Sequence, residues 1–294
     1  MRRLLLACAT SITLHAGLGA AALDRPLSHG ALRARIDAAL DGAGAIAGPK
    51  LVILAGSNAS YSHRCETIAA ALGVPCANAG AALGIGLDYL FTRWKHRLAP
   101  GDTVYLPLEF AQYARFRATA RTGPDAAIML RHDRATLAEL APDRWLGAAF
   151  AWNPRARVGA SANAHGDLVG HTAERARANA AMLAAIDPWM PSAAAIAQGD
   201  GAREVAAFLD WARAAGVRAI GGLPTGFDDR PPPDDTVSAV RAIYARHGAA
   251  FLELPNRSRY PRTDFFDTAD HLHETAQIAH SRAVAAGLAA LQRP

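Results

Sequence analysis

The chain has 294 residues, 51% of them hydrophobic, so it can bury a large core and fits one α/β domain or one domain with an insertion. Its formal net charge of +5 comes from arginines scattered among acids along helical stretches. Only two lysines occur, Lys50 and Lys95, and no basic block stands out, so no nucleic-acid partner is expected.

The first residues read as an address. Met1-Arg2-Arg3 is a short basic region, Leu4 to Ala22 is mostly apolar, and Ala20-Ala21-Ala22 offers a small-residue cleavage site before Asp24-Arg25-Pro26. That layout predicts a secretory signal peptide over residues 1–22 and a mature chain from residue 23, periplasmic or secreted, with no transmembrane span after processing. Thr10, Ser11, Thr13 and His15 weaken the run as a permanent anchor, and Cys8 lies too early for lipoprotein processing. Removal of the leader leaves Cys65 and Cys76. In an oxidising compartment such a pair is a disulfide candidate, and two small buried thiols are the alternative.

Residues 27–45 have a helical pattern. Lys50-Leu51-Val52-Ile53-Leu54 is an unbroken apolar run suited to a strand buried on both faces, and it turns at Ala55-Gly56-Ser57-Asn58. A helix over about 62–72 ends at Gly73, a short extended run covers 74–78, and a further helix runs from 79 to about 98. After the Pro100-Gly101-Asp102 turn, residues 103–108 are another buried strand, ending at Glu109. From 110 to 200 the pattern loosens. Helical pieces at 134–141 and 172–186 alternate with loops such as Trp152-Asn153-Pro154 and Ser161 to Asp167, an insertion or lid over the sheet edge. Alternation then returns, with a helix over 203–215, a strand over 217–221, a helix over 237–247, a strand over 250–254 and a final helix over 273–292. No repeat or low-complexity tract occurs beyond Pro231-Pro232-Pro233. The pattern predicts a three-layer α/β/α fold with a doubly wound, mainly parallel, flavodoxin-like sheet in one domain over 23–294.

Ser57 falls at the carboxyl edge of that sheet, where α/β proteins place their chemistry. A serine hydroxyl is a poor nucleophile until a base takes its proton, and histidine suits that task near neutral pH. The best partner lies between the last strand and the last helix, in Asp264-Phe265-Phe266-Asp267-Thr268-Ala269-Asp270-His271-Leu272-His273. Asp267 is spaced so that one turn holds it and His271 together; Asp270 ranks second, because adjacent side chains diverge. His63, His165, His171 and His273 match no ligand spacing, so no metal is expected. Trp145, Trp152, Trp189 and Trp211 suit a sugar-stacking surface or plain core and lid packing. A Walker lysine and a Gly-x-Gly-x-x-Gly are both missing, which argues against nucleotide binding.

Gly56-Ser57-Asn58 after the first buried strand, Asn78-Ala79-Gly80 after the second, and Asp267-x-x-x-His271-Leu272 before the terminal helix resemble the SGNH (GDSL-like) hydrolase superfamily. They are most similar to its branch in bacterial exopolysaccharide and cell-envelope acylation. The resemblance implies Ser57 as nucleophile, His271 as base and Asp267 as orienting acid. It also implies the Gly80 N–H as an oxyanion donor beside that of Ser57, with Asn78 in the same block and no metal or organic cofactor. Two departures stand out. Ala55 replaces the acid before Gly56-Ser57 usual in the family, and Leu106-Pro107-Leu108-Glu109 stands where Gly-x-Asn-Asp is expected, so the side-chain amide donor is missing. Asn58 and Asn163 are candidate substitutes, and Glu109 is a candidate to order the pocket or bind sugar hydroxyls. The implied activity is that of an esterase or O-acyltransferase on acyl, chiefly O-acetyl, esters of an extracellular polysaccharide or an acylated small molecule. The alternative is a weak or inactive carbohydrate-binding or scaffold component of a polysaccharide biosynthesis or secretion machinery.

Overall fold

A computed structural model describes residues 1–22, 30–122, 127–150 and 161–291. Asp24-Arg25-Pro26, Trp152-Asn153-Pro154 and the outer ends of the predicted first and last helices of the mature chain lie outside these residues. Five strands make the central sheet: β1 (Leu51–Ile53), β2 (Cys76–Asn78), β3 (Thr103–Leu106), β4 (Arg218–Gly222) and β5 (Ala250–Leu252). Their order is β2-β1-β3-β4-β5, and every neighbouring pair is parallel. This is the flavodoxin-like doubly wound order, whose direction of winding reverses between β1 and β3. Strands buried on both faces need apolar side chains on both, and β1 with Leu54 and Ala55 is buried throughout. Ile53 registers with Asn78 on one side and Tyr105 on the other, so the turns leaving β1, β2 and β3 emerge side by side.

The helices that matter here are α1 (Ser57–Ser62), α2 (Cys65–Leu72), α3 (Leu87–Lys95), α4 (Asp200–Ala214), α5 (Asp234–Arg246) and α6 (Glu274–Ala290). On one face of the sheet α6 packs on α1 and α2; on the other α4 packs on α3 and α5, which gives three layers. Gly287 of α6 sits so close to Leu252 of β5 that a Cβ there would meet the leucine side chain at 2.5 Å. A helix at Arg2–Ala22 exposes Leu4, Leu5 and Leu6, and no helix among the described residues is long and apolar enough to cross a membrane.

Two local expectations are corrected. The helix expected over 62–72 is two helices: α1 starts at Ser57 itself, and α2 restarts at Cys65. The restart has a cause, because the buried Asp167 carboxylate accepts the Cys65 and Glu66 N–H groups at 2.7 and 3.2 Å and so caps α2 from a distant loop. The helix expected from 79 is a 3₁₀ turn at Leu83–Ile85 followed by α3, broken at Gly86, whose φ of 92° no helix tolerates. Two short pairs lie outside the sheet: antiparallel Ser161–Ala162 with Leu168–Val169, and parallel Gly226–Phe227 with Arg259–Tyr260. A second apolar cluster of Leu183, Phe227, Phe265, Ala269, Leu272 and Ala276 underlies the loop before α6.

Cys65 and Cys76 form a disulfide that ties the start of α2 to β2. At the same amino-terminal edge of the strands, Lys50 and Asp102 are buried together with Nζ and Oδ2 2.6 Å apart, and Asp102 also accepts the Lys50 and Ala99 N–H groups. This pins the entry of β1 to that of β3. Removing one member of a buried ion pair leaves the other charge unpaired, at a cost of about 3–5 kcal/mol. Asp102→Ala is therefore expected to lower the urea-unfolding free energy by about that much, and a loss below about 1 kcal/mol would show the pair to be dispensable.

Candidate active site

Gly56 leaves room in the turn after β1: a Cβ there would lie 2.6 Å from Glu109 Oε1, so a larger residue would push that carboxyl aside. Ser57 is the first residue of α1, and its neighbour Asn58 donates its side-chain amide to the Pro107 carbonyl at 2.7 Å, joining the exits of β1 and β3. The last carbonyls of so short a helix have no partners within it. Asn78 Nδ2 takes those of Ala59 and His63 at 2.9 and 3.0 Å, and Gln277 Nε2 of α6 takes those of Ser60 and His63 at 2.9 and 3.0 Å. The helix carrying Ser57 is thus held from β2 and from α6.

The loop before α6 is fastened to the same helix. The Ser62 hydroxyl donates to the Asp270 carbonyl at 2.7 Å and accepts from the Leu272 N–H at 3.3 Å. Thr225, after β4, reaches the same carbonyl at 2.8 Å. Phe266 N–H closes on the His271 carbonyl at 2.7 Å, His273 N–H on that of Asp264 at 2.8 Å, and Phe265 and Leu272 bury their side chains beneath. His271 is therefore clamped through both adjoining residues.

The outcome is a continuous chain of three side chains. His271 Nε2 lies 2.8 Å from Ser57 Oγ, and His271 Nδ1 lies 2.6 Å from Asp267 Oδ1. A carboxylate on Nδ1 places the ring proton there and leaves Nε2 free to accept the serine proton. Asp270 does not reach the imidazole bond. Its carbonyl serves the clamp, while its carboxyl turns inward toward Glu109 and Arg259 and lines a cavity of about 280 Å³ with Glu109, Trp189, Thr225, Phe227 and Arg259. Burial pushes the Glu109 carboxyl well above the usual range, and the neighbouring Asp270 charge adds to the effect. Burial raises Asp270 as well, opposed by His271 and Arg259.

Other candidates stand elsewhere. The Gly80 N–H, expected at the oxyanion, donates to Asn78 Oδ1 at 3.1 Å, and Gly80 packs against Ser60 so tightly that a Cβ would fall 2.2 Å from its hydroxyl. A short Asx-type turn has taken that donor. Asn78 spends its amide on α1 and Asp167, and Asn58 spends its own on Pro107, so neither supplies the missing side-chain donor. Asn163 is a turn residue: its oxygen accepts from the His165 and Asp167 N–H groups, and its amide reaches Asp167. Trp145 and Trp189 are exposed, Trp189 at the cavity with Arg115 over its ring at 3.7 Å, and Trp211 packs on Phe208.

The sequence reading missed Ser62, Thr225, Gln277 and Asp167. Only Asp167 left a signal, in the turn already singled out. Below α1, His63 and His280 are buried with their Nε2 atoms 3.3 Å apart, and the Tyr260 hydroxyl meets His280 Nδ1 at 2.8 Å. Among the described residues no three His, Cys, Asp or Glu side chains gather as a metal site.

No protein-family model and no curated protein matches this chain, so the case for its chemistry rests on the geometry above.

Burial lowers His63 to about 4, against backbone bonds of Ala59 and Asn58, and burial with the adjoining His63 also holds His280 well below its ordinary value. The unfolded chain then binds more protons than the folded one between about pH 6.5 and 4, so stability is full above that window and falls with pH inside it. Urea unfolding is expected to need less denaturant at pH 5 than at pH 7.5, with the slope reduced in His63→Gln; a slope unchanged by that substitution would remove His63 from the account.

Proposed function

We propose that the chain is an exported serine hydrolase-like enzyme of the SGNH type that cleaves or transfers acyl groups, with O-acetyl esters of an extracellular polysaccharide as the expected substrates. The observation that carries the reading is the unbroken contact from Asp267 through His271 to Ser57, made by residues 214 positions apart at the Ser57–His271 step. Unrelated loops have no packing reason to align a carboxylate, an imidazole and a half-buried hydroxyl in that order.

Ser57 Oγ would attack the ester carbonyl while His271 Nε2 takes its proton. Asp267 holds the ring in the required tautomer and offsets the imidazolium charge. The tetrahedral oxyanion falls to the Ser57 N–H. Glu109, whose carboxyl burial raises well above the usual range, borders the cavity beside Gly56 and is placed to order the pocket or meet substrate hydroxyls. For Gly80 to help, its N–H has to leave Asn78 Oδ1. The imidazolium then protonates the departing alcohol, and water or a sugar hydroxyl, deprotonated by His271 in turn, releases the acyl group from Ser57. Esterase and transferase share every one of these steps and differ in the acceptor admitted. The cavity beside the triad suits a single acylated sugar unit, with Trp189 as a wall and Thr225, Glu109 and Asp270 as polar partners.

The second reading, a weak or inactive carbohydrate-binding component of a polysaccharide biosynthesis or secretion machinery, draws on the engaged Gly80 N–H and the missing amide after β3. A fluorophosphonate probe separates the two, because labelling requires an activated serine. Purified protein is expected to take up the probe at Ser57 and to release acetate from an aryl acetate. Ser57→Ala should abolish both, and Asp267→Asn should lower kcat about 10³–10⁴-fold. An unlabelled wild type favours the second reading, and a Ser57→Ala variant as active as wild type refutes the first.

A further inference from the structure

The face of the His271 imidazole is covered. Tyr61 lies against it with ring centroids 4.0 Å apart and planes only 11° from parallel. Tyr61 follows Ser57 by four residues in α1, so one helical turn puts the hydroxyl and the phenol ring on the same side of the helix. Phe266 continues the stack at 6.1 Å and 21° from Tyr61, and His171 closes it edge-on, at 5.2 Å from Tyr61 and 5.8 Å from Phe266. His171 is 1% exposed, and burial lowers it to about 4, so His171 itself adds no positive charge beside the base near neutral pH.

The bonds at Nδ1 and Nε2 define a line through the imidazole and leave the ring able to pivot about that line. A parallel ring in van der Waals contact with the face removes this freedom. An electron-rich face also attracts the positive charge that the imidazole acquires on taking the serine proton. We infer that Tyr61 is a positioning residue for the base, holding the plane of the His271 ring so that Nε2 stays aimed at Ser57 Oγ. The inference rests on the hydrolase reading for its consequence in rate, and on the stack alone for its geometry. Ser62, the next residue, fastens the backbone on both sides of His271, so one turn of helix supplies both restraints.

The test compares Tyr61→Phe, which keeps the ring, with Tyr61→Leu, and with Tyr61→Met should the leucine variant fail to fold. Two quantities are read on each: the rate of fluorophosphonate labelling at Ser57, and the chemical shifts of the His271 ring protons, which a stacked ring moves upfield. The phenylalanine variant is expected to label within about twofold of wild type and to keep the upfield shift. The ringless variants should melt as cooperatively as wild type, lose the shift and label about tenfold more slowly, the size of effect that one aromatic pair carries. Ringless variants that label at the phenylalanine rate overturn the inference. Should wild type itself not label, the hydrolase reading falls, and the ring-proton shifts alone decide: a shift kept by Tyr61→Phe and lost without a ring upholds the restraint on His271, and equal shifts in all variants overturn it.

Discussion

The attachment of one loop to one short helix is what the site depends on. Ser57 and His271 are 214 residues apart, yet their reacting atoms lie at 2.8 Å, and a displacement of about 1 Å is enough to cost orders of magnitude in such chemistry. That precision is built from backbone groups that burial forces to find partners. The Leu272 N–H is buried and the Asp270 carbonyl part-buried, and Ser62 serves both. The Ser60 carbonyl near the end of α1 is met by Gln277, and Asn78 adds a second bond to that of Ala59, which already accepts the His63 N–H. Each element covers the other's unpaired groups, so neither shifts without exposing a polar atom in the interior.

Beneath this lies apolar packing of two kinds. The main core holds the sheet and so sets α1 at the carboxyl edge of β1. The smaller cluster around Phe227, Phe265 and Leu272 belongs to the loop alone, and it turns a segment without regular structure into a rigid bracket. The disulfide and Asp167 act together at the start of α2, one tying it to β2 and the other capping it. Asp167 also orders Asn78 by accepting from its amide at 3.1 Å, and the His165 carbonyl accepts the Asn78 N–H at 2.7 Å, so the insertion between 110 and 200 reaches the floor of the site from more than one residue.

Solvation sorts the ionisable groups. Asp267 keeps about a third of its side chain exposed beside His271, whereas burial opposes ionisation of the Glu109 and Asp270 carboxyls beside the cavity. His63, His171 and His280 are held neutral by the same physics. Asp267 is the carboxylate left to meet the His271 ring, 2.6 Å from its Nδ1.

The order of strands, the position of Ser57 after the first of them and the pairing of Asp267 with His271 were legible in the sequence. Buried parallel strands appear as unbroken apolar runs, and the turns after them come out on one edge whatever else the chain does. Asp267, which spacing ranked above Asp270, is the carboxylate that meets His271 Nδ1, since the contact depends only on how far one turn reaches. What only the tertiary structure decided was the fate of individual polar groups. The Gly80 N–H is taken by Asn78, the Asn58 amide goes to Pro107, and Cys65 and Cys76 are bonded to each other rather than left as thiols. Ser62, Thr225 and Gln277 carried no mark of their roles, because a hydroxyl or an amide is claimed by whichever buried partner the fold brings nearest. That choice is made between segments distant in sequence, and no local pattern records it.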